Sequence, residues 1–182
     1  MARSQGGIPP QRRSRRSDRG AAAVEFALIL SLLVMLVFGI ITAGLSYTRA
    51  IGLTNAVREA ARFGATASTS SGTWASDVVS RVRNTQFDDG TDLSTSGTAV
   101  CVQLYKIGTG ASTVAGTSTC STSANTPVLD TTSAPSVTGI ATGTCVVRVW
   151  AARNFTISIV IAPAWNSTVV RSSVELYERG TC

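Results

Sequence analysis

The chain has 182 residues, 44% of them hydrophobic and 14% charged, which is room for a membrane anchor plus one modest domain and too apolar for a disordered chain. It contains no histidine, which excludes Ser-His-Asp and Cys-His catalytic systems and every histidine-containing metal site. The formal charge is +6, yet Arg3, Arg12, Arg13, Arg15, Arg16 and Arg19 supply most of it, and the body after residue 20 is close to neutral; a basic tail abutting an apolar run sets membrane orientation rather than nucleic-acid binding.

Residues 1–20 are rich in Arg, Ser, Gly and Pro and read as an irregular basic leader. From Ala21 to Thr48 the only charged residue is Glu25. At 1.5 Å rise per residue, about 20 residues cross a bilayer core, so 21–48 is long enough to be a transmembrane helix. Arginines before it and a near-neutral body after it predict a cytoplasmic N-terminus and an extracytoplasmic C-terminal domain. Helical spacing continues through Ile51, Val57, Ala60, Ala61 and Phe63, with Arg58, Glu59 and Arg62 for a polar side and no proline to interrupt it. One helix from about 21 to about 65 follows, its portion 49–65 an extracellular continuation whose "AVREAARFGA" stretch either packs on the outer domain or forms a subunit contact. Gly39, Ala43 and Gly44 form a small-residue surface where another helix could approach closely.

Residues 66–73 read as a turn, followed by a short helix beginning at Trp74, with Thr73 or Ser76 as cap. Strands are expected at 99–107, 145–151 and 154–161, the last two joined through Ala152 and Arg153, with a weaker final strand or short helix at 168–178. The Ser/Thr-rich stretch 108–144 reads as a surface loop with room for one short strand. The four cysteines lack C-x-x-C spacing and all follow the apolar run, which suits disulfides in an oxidising exterior. If the strands run up and down in turn, the pairing is Cys120–Cys145 with Cys101–Cys182. The acidic "DDGTD" at 88–92 lacks the order of a calcium loop and reads as a solvated turn. The sequons at Asn154 and Asn166 are of a kind that arises by chance, and Trp74, Trp150 and Trp165 read as core or interface aromatics.

The small residues at Gly20 to Ala23 precede the apolar run, whereas a secretory signal places its small-residue cleavage site after it. Glu25 costs a few kcal/mol in hydrocarbon and so needs a partner; Ala21 lies four residues before it, about one helical turn away. Taken together, "RGAAAVEFALILSLLVMLVFGIITAGLSY" and "NAVREAARFGA" resemble the TadE-like minor pilins, or pseudopilins, of tight-adherence (Flp-type) pilus systems, in which a G-x-A-x-V-E-F/Y-A start recurs. The resemblance covers roughly residues 15–66. It implies an α+β fold with a long, pilin-like N-terminal transmembrane helix followed by a small antiparallel β-sheet ectodomain over 66–182. It also implies a prepilin peptidase cutting between Gly20 and Ala21, and a glutamate, Glu25 (followed by Phe26), that neutralises the N-terminal amine of a neighbouring subunit. The implied role is pilus assembly rather than catalysis, with no cofactor or metal and no nucleic acid. The implied partners are the bacterial cell membrane, spanned once, the peptidase, other minor pilins, the major pilin and an inner-membrane assembly platform. The competing expectation is an uncleaved single-pass signal-anchor protein with an extracellular binding or adhesive domain.

Overall fold

The computed structural model describes residues 15–85, 97–122, 127–159, 162–180 and 182, and it divides into two compact units, residues up to Ile41 and Thr42–Cys182. The "DDGTD" stretch lies outside the described residues. The architecture is α+β: a long N-terminal apolar helix, then a small antiparallel sheet domain.

Helix α1 is Arg15–Thr66. It takes in the end of the basic leader, which the sequence reading left irregular up to Gly20. Once the apolar segment has formed a helix, adding residues needs no new nucleus, and nothing between Arg15 and Gly20 blocks the extension. In the first unit every residue of Gly20–Ile41 is exposed, with Val24, Phe26 and Leu32 at 61, 65 and 70%. Ser31 donates its hydroxyl to the carbonyl of Leu28 at 2.8 Å, which satisfies the one polar side chain in the middle of this apolar stretch from its own backbone.

The second unit holds Thr42–Thr66 of α1, helix α2 (Trp74–Arg83) and the strands β1 (Thr98–Lys106), β2 (Gly110–Ala111), β3 (Ser118–Ser121), β4 (Cys145–Ile159) and β5 (Ala162–Leu176). Leu53, Ala56, Val57, Ala60, Ala61 and Ala65 recur at helical spacing and are all buried, while Arg58, Glu59 and Arg62 face solvent. The "AVREAARFGA" stretch therefore packs on its own domain, the first of its two expected roles. Three of the last carbonyls of α1, a region where the helix itself offers no partner, are supplied: Phe63 O accepts from Ala67 N at 2.9 Å, Ala65 O from Glu178 N at 3.0 Å, and Gly64 O from the Trp74 indole at 3.0 Å. In α2 the buried side comprises Trp74, Ala75, Val78, Val79 and Val82. Thr73 is its N-cap residue, but the hydroxyl bonds Asp77 Oδ2 at 2.9 Å rather than a main-chain N–H.

The sheet order is β2-β1-β4-β5, all antiparallel, with β3 also pairing β1. Alternation along the strands gives two faces. Val100, Val102, Leu104, Val147, Val149 and Ala151 pack on the helices. Ala99, Cys101, Trp150 and Ala152 line the opposite face and are covered by Leu129, with Cys120 and Ala134 at its margin.

Three sequence expectations change. The two strands proposed at 145–151 and 154–161 are one strand, β4, because Ala152 and Arg153 stay in register with Ala99 and Thr98 on one side and with Val170 and Val169 on the other. The stretch 108–144 contains two short strands rather than one, β2 and β3, both returning to β1. The disulfides are present, but the pairing is Cys101–Cys120 and Cys145–Cys182, not Cys120–Cys145 with Cys101–Cys182. The reason is β3: it sets Cys120 directly opposite Cys101 in the ladder, and the chain end after β5 returns to the start of β4, where Cys182 N donates to Cys145 Sγ at 3.2 Å. The final stretch, read as a strand or a short helix, is the strand β5 as far as Leu176.

Candidate processing and assembly segment

The segment singled out by sequence, Gly20, Ala21, Glu25 and Phe26, lies wholly within α1 and is exposed. Its glycines can be sorted by what a side chain would meet. A Cβ on Gly64 would stand 3.1 Å from Val147 Cγ1 and Val78 Cγ2, and one on Gly116, at φ 77°, would collide with the main chain of Gly72. Those two are glycines because the fold leaves no room. A Cβ on Gly20, Gly39 or Gly44 meets nothing within 4 Å, so packing within the described residues does not require a glycine at any of the three. Each nonetheless sits inside a helix, where glycine costs about 1 kcal/mol relative to alanine.

At Gly20 that cost has a local consequence. The Gly20–Ala21 peptide is helical, six residues inside a helix that begins at Arg15, and any enzyme that reads extended backbone would have to unwind it. Glycine lowers the work of unwinding and offers no side chain to clash. Glu25 follows Ala21 by four residues and so lies on the same side of the helix. It is exposed and makes no ion pair among the described residues. A carboxylate on a lateral, otherwise apolar surface costs a few kcal/mol in hydrocarbon unless a cation joins it. Gly39 is exposed in the first unit, and Ala43 and Gly44 are exposed in the second.

The domain itself offers little chemistry. No group of three or more metal-binding side chains occurs among the described residues, and all four cysteines are in disulfides. Trp74 and Trp150 are core residues, each 1% exposed; the side chain of Trp165 lies outside the described residues. Asn154 and Asn166 are exposed. Two features escaped the sequence reading. Arg148 is buried, its guanidinium 4.2 Å from the Tyr105 ring centroid; burial pulls its pKa below the usual guanidinium range, the neighbouring Tyr105 acting the other way. Arg49 and Arg153 both stand over Phe155, at 5.9 and 5.5 Å from its centroid. The signal for Arg49 was in view, since it is the first charged residue after Glu25.

Geometry and sequence together define a class: among the described residues, one helix near the N-terminus is long and apolar enough to cross a membrane, and a disulfide-bonded β domain follows it, which fits a single-pass membrane protein. A family model described as TadE-like protein matches residues 20–62, so over that stretch the chain is similar to TadE-like proteins. The matched span begins at Gly20 and takes in Glu25, Gly39, Ala43, Gly44 and the whole "AVREAAR" stretch. No curated protein and no solved structure matches the chain.

Proposed function

We propose that the protein is a minor pilin or pseudopilin that a prepilin peptidase processes between Gly20 and Ala21, and whose mature helix serves in assembly of a tight-adherence pilus. The observation that carries this is the family match beginning at Gly20, where a glycine that no packing among the described residues requires stands five residues before Glu25 on a membrane-length helix. Cleavage would place a cationic α-amine on Ala21, and Glu25 would pair with the amine of a neighbouring subunit, relieving two desolvated charges at once. The basic leader holds the N-terminus at the cytoplasmic face until the cut. The partners are the peptidase, related minor pilins, the major pilin and the inner-membrane platform.

N-terminal sequencing of the protein extracted from its native membrane tests the reading. A mature chain starting at Ala21 is the expected result. A chain starting at Met1 or Ala2 would replace it with an uncleaved signal anchor bearing an adhesive domain, and a soluble product lacking the apolar run would exclude both.

A further inference from the structure

Among the described residues, β5 is the last strand of the sheet and pairs with β4 on one side only. The ladder keeps one register from Val146↔Leu176 to Ile157↔Trp165, so the direction of each main-chain group along it can be followed. Tyr177 N donates to Cys145 O at 2.9 Å, which makes these two a hydrogen-bonded pair. Such pairs alternate with non-bonded ones in an antiparallel ladder. Val169, Arg171, Ser173 and Glu175 therefore bond β4, whereas Thr168, Val170, Ser172, Val174 and Leu176 aim their N–H and C=O groups away from the sheet. The bond from Asn154 N to Gly97 O at 3.3 Å, on the other side of β4, follows the same alternation. The free edge is poorly guarded. No proline or lysine occurs between Asn166 and Leu176, and Val170 and Leu176 are 51 and 54% exposed.

The order of residues along that edge says what fits it. A strand added antiparallel must set outward-bonding residues against outward-bonding residues. If the added strand is β5 of a second copy, the two-fold axis must then pass through a residue. An axis on Arg171 would oppose two guanidinium groups. An axis on Ser173, and no other, sets Arg171 opposite Glu175 of the second copy and, by symmetry, Glu175 opposite its Arg171. The same register sets Val170 against Leu176 and Ser172 against Val174. Charge thus meets opposite charge on one face of the sheet, and exposed apolar meets exposed apolar on the other.

We infer that β5 is a self-association edge: two copies of the protein join β5 to β5 about a two-fold axis at Ser173, making one continuous sheet across the pair. The pairs Val170–Leu176 and Ser172–Val174, with their symmetry mates, exchange about eight main-chain hydrogen bonds. In the single chain Arg171 Nη1 donates to the outward carbonyl of Val170 at 2.8 Å. On pairing, the Leu176 N–H of the second copy takes that carbonyl, and the guanidinium turns to Glu175. The inference concerns the sheet alone and stands whether or not the leader is cut.

The test uses the full chain, purified in detergent and oxidised with copper phenanthroline. All four native cysteines are in disulfides, so one added cysteine is the only free thiol. Ser173 meets its own copy in a non-bonded pair, with Cα atoms about 4.5 Å apart, within disulfide reach; Ser172 meets Val174 instead. Ser173→Cys should therefore give a disulfide-linked dimer, and Ser172→Cys about tenfold less of it. Arg171→Glu and Glu175→Arg, each added to Ser173→Cys, oppose like charges twice and should each lower the dimer about tenfold. An equal mixture of those two variants should restore it, because each then meets its complement. Absence of dimer in Ser173→Cys overturns the pairing, and equal cross-linking at Ser172 and Ser173 overturns the register. A dimer indifferent to the charge reversals, or not restored by the mixture, overturns the self-complementary edge. Ser173→Cys oxidised in its native membrane should link two copies of this chain; a link to a different protein gives the edge to that partner and overturns self-association.

Discussion

The indole Nε1 of Trp74 donates to the main-chain oxygen of Gly64 at 3.0 Å, and Cζ2 of the same ring lies 3.2 Å from where a Gly64 side chain would begin. One residue thus caps the end of α1 and fills the space against it. Trp74→Phe should leave the Gly64 carbonyl buried without its donor, a loss of about 1 to 3 kcal/mol. Gly64→Val should cost about 1 to 3 kcal/mol by overpacking against Val78 and Val147. In a domain this size each kcal/mol lowers Tm by roughly 4 °C. Thermal melts of the purified protein should show both losses, and the double variant should lose less than their sum, because both changes open the same contact.

That pair also shows what the amino-acid order reveals and what it hides. The periodicity of Val57, Ala60 and Ala61 was enough to place a buried helical side, because one helix face repeats every turn and is visible within a short window, although Ile51, read with them, is exposed and the buried Leu53 was passed over. Gly64 looked like any glycine, since the atoms that crowd it belong to Trp74, Val78 and Val147, and no local pattern brings those together. The fused strand β4 was hidden for a related reason. Ala152 and Arg153 break the apolar alternation and resemble a connection, yet they hold their ladder positions through bonds made by the backbone. Gly20 and Glu25 are the opposite case. They stand out in sequence because neither helix propensity nor packing accounts for them, and the folded chain leaves them unexplained in the same way.

The disulfide pairing can be read directly from peptides. Trypsin without reduction cuts after Arg83, Lys106, Arg148 and Arg179, leaving Cys101 in one peptide, Cys120 and Cys145 together in a second, and Cys182 in a third. The pairing Cys101–Cys120 and Cys145–Cys182 should join all three, and a further cut before Asp130 should separate them into two linked pairs. The loops closed span 19 and 37 residues, for which chain-entropy arguments give about 3 to 4 kcal/mol each. Cys182→Ser with Cys145→Ser should therefore lower the melting temperature more than any single core valine truncated to alanine. Recovery of the peptide holding Cys120 and Cys145 unlinked to the others would reject the pairing.

Asp130 anchors the turn that carries Leu129 over the second face of the sheet. Its carboxylate accepts from Thr132 Oγ1 at 2.7 Å, Ser133 Oγ at 2.8 Å and Ser133 N at 2.9 Å. The Thr132 hydroxyl first, then the two Ser133 donors, hold its pKa below the ordinary aspartate value. A lowered carboxylate pKa contributes stability that is complete above the unfolded value and fades as pH falls through the folded one. The order of this turn should therefore persist down to pH values where free aspartate is already protonated, and be lost below that. A carboxyl titration of Asp130 by NMR checks the direction, and a midpoint at or above the ordinary value would refute it. Asp130→Asn keeps one acceptor and should retain the turn at neutral pH while abolishing its acid dependence.

Glu25 separates two roles that a membrane carboxylate can have. If it merely faces the interface, Glu25→Gln should leave both processing and assembly unchanged, since the amide has the same shape and a lower cost in hydrocarbon. If it pairs with the amine created at Ala21, the amide should still permit the cut at Gly20 but remove the charge that draws two subunits together. Losing a desolvated charge pair of even 1.4 kcal/mol is about tenfold in an association constant. The expected outcome is thus mature Glu25→Gln protein with Ala21 at its N-terminus, at normal levels in the membrane, and at least about a tenfold fall in the amount cross-linked to other pilins. Gly20→Leu should show the complementary defect: the leader retained, α1 still membrane-embedded, and no free amine for any glutamate to meet. Normal assembly of Glu25→Gln would remove the amine-pairing role and leave the carboxylate as an interface residue.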